Sequence, residues 1–317
     1  MLLLSTALAG ILQTKTGDAE WFEAPIQRGV LMPRGWMSVE LGADDKHSTA
    51  YRNARGQVVD YADGTEFVYH RLWLDIEQGF SDRVTFSLMV PWVHTTLKND
   101  LGAELATLAM GDAVAGFTYG NLRGEAVSLH LKTPSGVEWP SGFTNSTTGF
   151  LTGTGTTDLT LTLHEHVVRG RWAAHAQAFG TWRIPGIVGY VVEKDGFGNG
   201  WMDAGDSVGG ELALKRALGQ RVVVHADGRA EMFQVFQTGT SGDSVFRINK
   251  EVLPRTGGLW VFAGGGVDVD LSRHWAVGYD LSWQAMGTDS RVFGGLGLEA
   301  FSPQPGITHT VSVEGRW

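Results

Sequence analysis

Two histidines separated by one residue have the side-chain types of a metal site. His164 and His166 flank Glu165, and on an extended strand these two histidines share one face. Two ligands do not make a zinc site, so a third would have to come from His130 or His175 on neighbouring segments. The alternative is that all of them are ordinary polar histidines on a hydrated face.

The segment DGFGNGWMDAGD at 195–206 partly fits a calcium-binding loop. Oxygen-bearing side chains recur along it, and Gly200 stands where such a loop turns sharply. Phe197 occupies a ligand position, however, and an Asp replaces the final bidentate Glu, so a turn-rich surface loop is the alternative. The candidate calcium ligands are Asp195, Asn199, Asp203 and Asp206.

No motif in the chain marks a catalytic nucleophile. The absence of Cys excludes a cysteine nucleophile, a thiolate zinc site and disulfides. Gly153 and Gly155 form neither a dinucleotide fingerprint nor a P-loop. Ser282 with His274 is a serine–histidine pair without a motif around it. We therefore predict a protein that is not an enzyme and needs no cofactor other than the calcium considered above; a lipid or peptide hydrolase is the alternative.

Ionisable side chains recur at every second residue of several segments, as in His225, Asp227, Arg229 and Glu231. On extended strands they share one face, and in a closed barrel that face lines the interior, where charges must be paired or hydrated. One interpretation is a polar conduction path whose selectivity is set by charge. The other is a salt-bridged interior that plugs the barrel. The predicted lumen residues are Arg71, Asp75, Glu77, His130, Lys132, His164, His166, His175, His225, Asp227, Arg229, Glu231, Asp268 and Asp280.

Aromatic side chains also fall on this face by parity. Their rings are candidates for stacking against an aromatic or sugar-like solute, although filling the interior explains them equally well. They are Tyr69, Trp73, Phe179, Trp260 and Phe262.

Segments of period-two alternation must position these residues, and short connections alternate with long ones between them. Outer-membrane barrels have short periplasmic turns and long extracellular loops, and an even strand number brings both chain ends to the periplasmic side. We predict an all-β, transmembrane, antiparallel up-and-down β-barrel of about 12 strands. The long loops fall near 44–65, 96–110, 134–155, 185–205, 234–257 and 287–306. The predicted strands are 35–43, 66–79, 82–95, 111–121, 124–133, 156–169, 171–184, 206–216, 220–233, 258–270, 273–286 and 307–317.

The opposite face of these strands is apolar and carries tryptophan at its ends. Trp172 and Trp182 stand at the two ends of one such face. A strand of roughly eight to ten residues, tilted by ~40°, spans roughly 20–25 Å along the membrane normal. This matches an apolar band edged by two aromatic girdles. The predicted girdle residues are Trp92, Trp172, Trp182, Trp275, Trp283 and Trp317.

Bulk properties agree with a barrel. The net charge of −9 argues against a nucleic-acid partner, and no run of 18 apolar residues could form a transmembrane helix. A mean hydropathy of −0.07 is compatible with strands whose two faces cancel in any average. We interpret residues 1–9 as a clipped signal peptide, with a disordered or docked tail as the alternative. Residues 10–34 form an N-terminal segment, either plug or periplasmic, and 35–317 form the barrel.

Several motifs resemble one family. They are QGFSDRVTFSLMVPWV (78–93), MGDAVAGFTYG (110–120), LHLKTPSG (129–136), GTGTTDLTLTLHEH (153–166) and GGGVDVDLSRHWAVGYD (264–280). The chain resembles the outer-membrane β-barrel transporters known as phenol-degradation meta-pathway proteins, although MGDA lacks the expected Gly before Gly-Asp. The last strand ends on Trp317, which resembles the C-terminal assembly signal of outer-membrane proteins.

The resemblance implies a bacterial outer-membrane barrel that takes up small, often aromatic or hydrophobic compounds, and it carries no catalytic residue. The expected partners are outer-membrane lipid and lipopolysaccharide, the barrel-assembly machinery and a small-molecule solute. Two alternatives remain: an outer-membrane enzyme, and a structural barrel whose loops bind a partner.

Overall fold

The computed structural model describes most of the predicted barrel. The described residues are 25–52, 57–61, 65–98, 104–122, 124–136, 156–184, 186–193, 196–203, 205–234, 237–240, 251–252, 258–288 and 306–317. The interpreted signal peptide at 1–9 therefore lies outside the described residues.

Strands make up almost all of the regular structure in these residues. A short 3₁₀ helix covers Pro25–Gln27. None of the helices described is long and apolar enough to cross a membrane. The strands are Met37–Ser48 (β1), Ala50–Arg52 (β2), Val58–Asp60 (β3), Glu66–Ser81 (β4), Val84–Lys98 (β5), Glu104–Met110 (β6), Val114–Gly120 (β7), Ala126–Lys132 (β8), Thr157–Arg169 (β9), Trp172–Ile184 (β10), Gly186–Glu193 (β11), Gly196–Asp203 (β12), Ser207–Ala217 (β13), Val222–Phe233 (β14), Gln237–Thr240 (β15), Glu251–Val252 (β16), Gly258–Asp270 (β17), Trp275–Thr288 (β18) and Ile307–Arg316 (β19).

The main sheet is a closed antiparallel barrel, which confirms the predicted fold. Around the ring the order is β4-β1-β19-β18-β17-β14-β13-β10-β9-β8-β7-β5, and β5 pairs back with β4. β6 and β7 pair with successive parts of β5, so together they supply one of the 12 barrel strands. The first and last barrel strands pair from Ser38↔Arg316 to Lys46↔Thr308, which leaves no open edge.

The outside of the barrel is apolar and exposed. Leu41, Leu163 and Leu212 are 56%, 58% and 50% exposed, whereas the residues that alternate with them along the strands face the interior. Monomeric soluble proteins do not leave an apolar surface of this extent open to water. Lipid is the solvent that such a surface requires.

The structure corrects the predicted elements at the extracellular end. β1 continues to Ser48 instead of stopping near 43, and the predicted strand 111–121 corresponds to β7, with β6 preceding it. The predicted loops 185–205 and 234–257 contain β11, β12, β15 and β16, which form a separate four-stranded sheet. Their backbone amides and carbonyls need partners, and a ladder supplies them.

Residues 25–36 cross the lumen at the end where the short turns lie. Ile26 packs against the inward side chains Ala173, Ala217 and Val223 of β10, β13 and β14. On the opposite wall, the Met32 amide donates a hydrogen bond to Thr85 Oγ1 at 2.7 Å. Six residues of extended chain reach at most ~20 Å. The segment therefore crosses from one wall of the barrel to the other.

Further contacts hold this segment at both walls. Arg28 Nη1 donates to Asp270 Oδ1 at 3.0 Å, and Arg316 Nη1 shares that oxygen at 3.1 Å. On the other side, a Cβ at Gly79 would stand 2.2 Å from the Pro33 carbonyl oxygen. Gly79 therefore provides the space in which the segment's backbone lies against β4.

Candidate solute pathway through the barrel

The structure places every predicted lumen residue on the inward face of its strand. Arg71, Asp75 and Glu77 alternate along β4 with outward Leu72, while the other members occupy the matching parity of their own strands. The types of ionisable side chain, however, are not evenly distributed around the ring. Carboxylates dominate one side of the lumen and histidines the opposite side.

The acidic side contains a row of three carboxylates in register. Glu40 on β1 pairs directly with Asp75 on β4 and with Glu314 on β19. Glu77 lies one inward position farther along β4. Within the described residues, no ion pair joins Glu40, Asp75 or Glu77 to a basic side chain, although Glu314 pairs with Arg316. Like charges directly opposite one another destabilise a sheet, so this row carries an energetic cost that a cation in the lumen would relieve.

A second acidic group surrounds His225 on β14. His225 Nε2 lies 2.7 Å from Asp280 Oδ1, and its Nδ1 lies 3.7 Å from Asp268 Oδ2. Asp227 Oδ1 is 4.0 Å from the same ring. A single imidazole cannot neutralise three carboxylates, so this group adds to the negative side of the lumen.

Inward-facing glycines leave the space in which the carboxylate side chains of this group lie against the barrel wall. A Cβ at Gly266 would stand 2.3 Å from Asp280 Oδ1, and one at Gly264 would stand 2.8 Å from Asp227 Oδ2. The carboxylates therefore lie along the wall, over neighbouring strands.

The opposite side carries the predicted histidines on β8, β9 and β10. Ser128 Oγ lies 2.8 Å from His164 Nε2, and His164 Nδ1 lies 3.4 Å from His175 Nε2. His130 Nε2 contacts Ser87 Oγ at 3.4 Å, and the rings of His166 and His175 meet edge to face at 6.1 Å. The histidines thus contact each other and hydroxyl groups, as expected for ordinary polar lumen residues. Zinc binding by them stays a prediction.

Charges near the extracellular end of that side are paired. Lys132 Nζ lies 2.6 Å from Asp158 Oδ2, and Arg183 Nε is 3.6 Å from the same oxygen. Arg183 Nη2 reaches Glu231 Oε1 at 3.5 Å, and Arg229 reaches Glu231 Oε2 at 2.8 Å. The salt-bridged interpretation therefore fits this part of the lumen, while the hydrated, charge-selecting interpretation fits the acidic side.

The aromatic candidates lie on the inward face but do not converge on one place. Trp73 covers Gly42 on β1, and Phe179 covers Gly209 on β13 with the Arg229 guanidinium 4.8 Å from its ring centroid. Trp260 and Phe262 meet edge to face at 6.3 Å on β17. The fifth candidate, Tyr69, precedes Trp73 on β4. A stacking role for these five residues stays a prediction.

Two other predicted groups are separated or only partly described. Asp195 lies outside the described residues, Asn199 and Asp203 belong to β12, and the Asp206 carboxylate accepts a hydrogen bond from the Arg183 amide at 3.0 Å. Calcium binding by this segment therefore stays a prediction. Ser282 and His274 do not meet, because eight residues of extended strand separate them by about 26 Å.

The tryptophan girdle lies on the outer surface. Trp92, Trp172, Trp182, Trp275 and Trp283 are between 41% and 57% exposed, and Trp317 packs edge to face on Trp275 at 5.8 Å. With the apolar band and the closed ring, these features define the class of the protein: it is a β-barrel of the bacterial outer-membrane type.

Comparisons with known proteins agree with this class. The COG4313 outer membrane channel from Pseudomonas putida F1 aligns with a TM-score of 0.65 and 10% sequence identity, over 92% of this chain and 98% of that chain. The CymD monoaromatic hydrocarbon channel aligns at 0.47 and 10% identity, over 96% and 94%. A score below 0.5 supports no inference, and 10% identity shows the fold alone.

Sequence comparisons give no match. No protein-family model and no curated protein matches the chain. The comparisons therefore support the outer-membrane barrel class, and the resemblance to phenol-degradation meta-pathway proteins stays a prediction from the motifs.

Sequence reasoning missed several residues of the lumen. Glu40 and Asp44 on β1 and Arg28 in the crossing segment were not predicted to belong to it. The alternation of Glu40 and Asp44 with Val39 and Leu41 could have identified the first two. No pattern could have identified Arg28, because its position depends on a partner 242 residues away.

Proposed function

We propose that the protein is a channel of the bacterial outer membrane that passes small solutes and favours cations. The observation that carries this proposal is the carboxylate row Glu40–Asp75–Glu314, which lies opposite the histidine-bearing wall. A lumen with negative charge on one side concentrates cations at that side and lowers their barrier to entry. Neighbouring Glu77 and the His225 group extend the same field along the barrel.

The double variant Glu40→Gln/Asp75→Asn tests this proposal. We expect the ratio of cation to anion permeability to fall severalfold toward unity, because the charges that attract cations are removed while the size of the lumen is kept. The measurement is the reversal potential of the reconstituted protein in a planar bilayer under a KCl gradient. Folding should not suffer, since like charges directly opposite one another destabilise a sheet and the double variant removes such a pair.

Glu165→Gln is the matched control for this experiment. Glu165 is an exposed carboxylate on the outward face of β9, so its loss should leave the permeability ratio unchanged. An anion-selective wild-type protein, or a double variant with the wild-type ratio, would contradict the proposal.

The nature of the solute follows from the resemblance and remains our proposal. Uptake of aromatic compounds is supported by the inward rings of Trp73, Phe179 and Trp260, which line the lumen at three separate strands. Swelling of protein-containing vesicles in a phenol-sized aromatic solute, against a polyol of similar mass and after subtraction of the rate in protein-free vesicles, measures this preference. Equal swelling rates would contradict it.

The surroundings of the barrel also belong to this proposal. The exposed apolar outer wall supports contact with outer-membrane lipid and lipopolysaccharide, and recognition by the barrel-assembly machinery belongs to the same proposal. A second candidate function, a closed structural barrel, is favoured by one observation: residues 25–36 cross the lumen. Release of that segment distinguishes a gated channel, which would then conduct, from a closed barrel, which would not.

A further inference from the structure

A cluster of histidines and carboxylates lies on the outer wall, away from the lumen. Asp45 and His47 on β1 and His70 on β4 occupy outward positions, and one donor atom from each lies within 4.8 Å of the others. Asp45 Oδ1 is 2.7 Å from His70 Nδ1 and 3.5 Å from His47 Nε2. Ligands around a tetrahedral zinc ion, at bonds of about 2.0–2.1 Å, stand about 3.3 Å apart. The observed separations lie on either side of that value, and the shorter one is a hydrogen bond from His70 Nδ1 to Asp45 whose proton a bound ion would displace.

The orientation of His47 is that of a metal ligand. Its Nδ1 lies 2.9 Å from Glu66 Oε1, so Nδ1 carries the proton and Nε2 presents its lone pair toward Asp45 and His70. A carboxylate that fixes the tautomer of a ligating histidine in this way is the usual companion of a metal site. Glu66 would therefore orient His47 without binding the ion.

His70 is held by a separate contact. Its ring stacks on that of His94 of β5, with centroids 5.8 Å apart and an angle of 6° between planes. It also meets the His47 ring edge to face at 6.0 Å. Glu66 therefore fixes the orientation of the His47 ring, and stacking on His94 fixes that of the His70 ring.

The cluster is open to the surrounding medium at the upper edge of the apolar band. His70 lies one outward position beyond Leu72, which pairs with the girdle residue Trp92. The side chains of Asp45, His47 and His70 are 46–53% exposed. A bound ion would thus lie at the level of the outer-leaflet headgroups, with its fourth ligand position facing outward.

We propose that Asp45, His47 and His70 form a binding site for a divalent transition metal of the zinc class on the outer wall of the barrel. Two imidazole nitrogens and one carboxylate oxygen suit Zn²⁺, whereas Ca²⁺ and Mg²⁺ require oxygen ligands throughout. The carboxylate also balances part of the ion's charge.

Titration calorimetry with Zn²⁺, on full-length protein in detergent and free of any histidine tag, tests the site. His47→Ala and His70→Ala should each weaken binding at least about tenfold, and Glu66→Gln about tenfold through loss of orientation. Ca²⁺ should bind more weakly than Zn²⁺. Heat-modifiable gel mobility shows that each variant is folded.

His309→Ala is the matched control. His309 lies on β19 directly opposite Asp45, and its Nδ1 contacts the Tyr279 hydroxyl at 2.9 Å, so its loss should leave Zn²⁺ affinity unchanged. Wild-type affinity in a folded His47→Ala/His70→Ala variant, or Ca²⁺ binding as tight as Zn²⁺ binding, would overturn the proposal.

Discussion

Replacing Arg28 with Ala should raise the conductance of the reconstituted protein severalfold. Arg28 ties the crossing segment to Asp270, and both side chains are largely buried. Hydrogen bonds to a charged partner contribute roughly 2 kcal/mol. Their loss should shift the equilibrium between docked and released segments by about thirtyfold. Single-channel recording in planar bilayers measures the result as larger or longer openings.

Arg34→Ala is the matched control, because Arg34 belongs to the same segment but its side chain is exposed. Within the part of the chain that the structure describes, the hydrogen bond that holds Arg34 is the one from its backbone amide to Asp82 Oδ1 at 3.0 Å. Its conductance should equal that of the wild type.

Gly79→Val provides a second route to the same outcome at the other wall. Its side chain would collide with the Pro33 and Met32 carbonyl oxygens, which are backbone atoms and cannot rotate away. The segment should therefore lift from β4. Wild-type conductance in both folded variants, Arg28→Ala and Gly79→Val, would show that residues 25–36 do not control the pathway. A barrel that conducts no ions even after the segment is released would favour the closed structural barrel.

The second large effect is expected on the outer wall. Leu163→Arg should destabilise the barrel by about 2–4 kcal/mol, because Leu163 lies at the middle of β9, 58% exposed, on the outward face. An arginine at the bilayer midplane loses its hydration without gaining a partner. Urea titration of the protein folded in lipid vesicles, followed by tryptophan fluorescence, measures the change.

The free-energy cost of a charged substitution on the outer wall depends on its depth in the bilayer, and this dependence distinguishes lipid from any other apolar environment. Ile184 is 55% exposed and shares the outward face of β10 with Trp182, but it lies at the extracellular end. Ile184→Arg should cost only about 0–1 kcal/mol. Equal costs for the two substitutions would mean that no hydrocarbon layer surrounds the middle of the barrel.

The alternating strands could be predicted because each one encodes its own faces. Leu159, Leu161 and Leu163 alternate with Thr160 and Thr162 in β9, and the backbone of a single strand is enough to separate the two groups. The same local rule predicted the tryptophan girdle, the inward position of every lumen candidate and, with the loop lengths, the closed ring. It failed at the extracellular ends, where β11, β12, β15 and β16 continue through the predicted loops.

Which residues become neighbours across strands could be learned only from the closed structure. The row Glu40–Asp75–Glu314 joins the beginning, the first quarter and the end of the chain, and the metal-site candidate joins β1 to β4. The crossing segment is a further example, since Arg28 meets Asp270 only after the barrel has formed. Register and closure depend on the balance of all pairings around the ring, which no single segment contains.

The amino-acid sequence by itself therefore determined the class of fold, the two faces of each strand and the identity of most lumen residues, because side-chain alternation is a property of one strand's backbone. Only the tertiary structure decided that carboxylates gather on one wall and histidines on the other. It also decided that residues 25–36 lie across the opening. These facts depend on which strands become neighbours when the sheet closes, and on the space that small residues such as Gly79 leave between them.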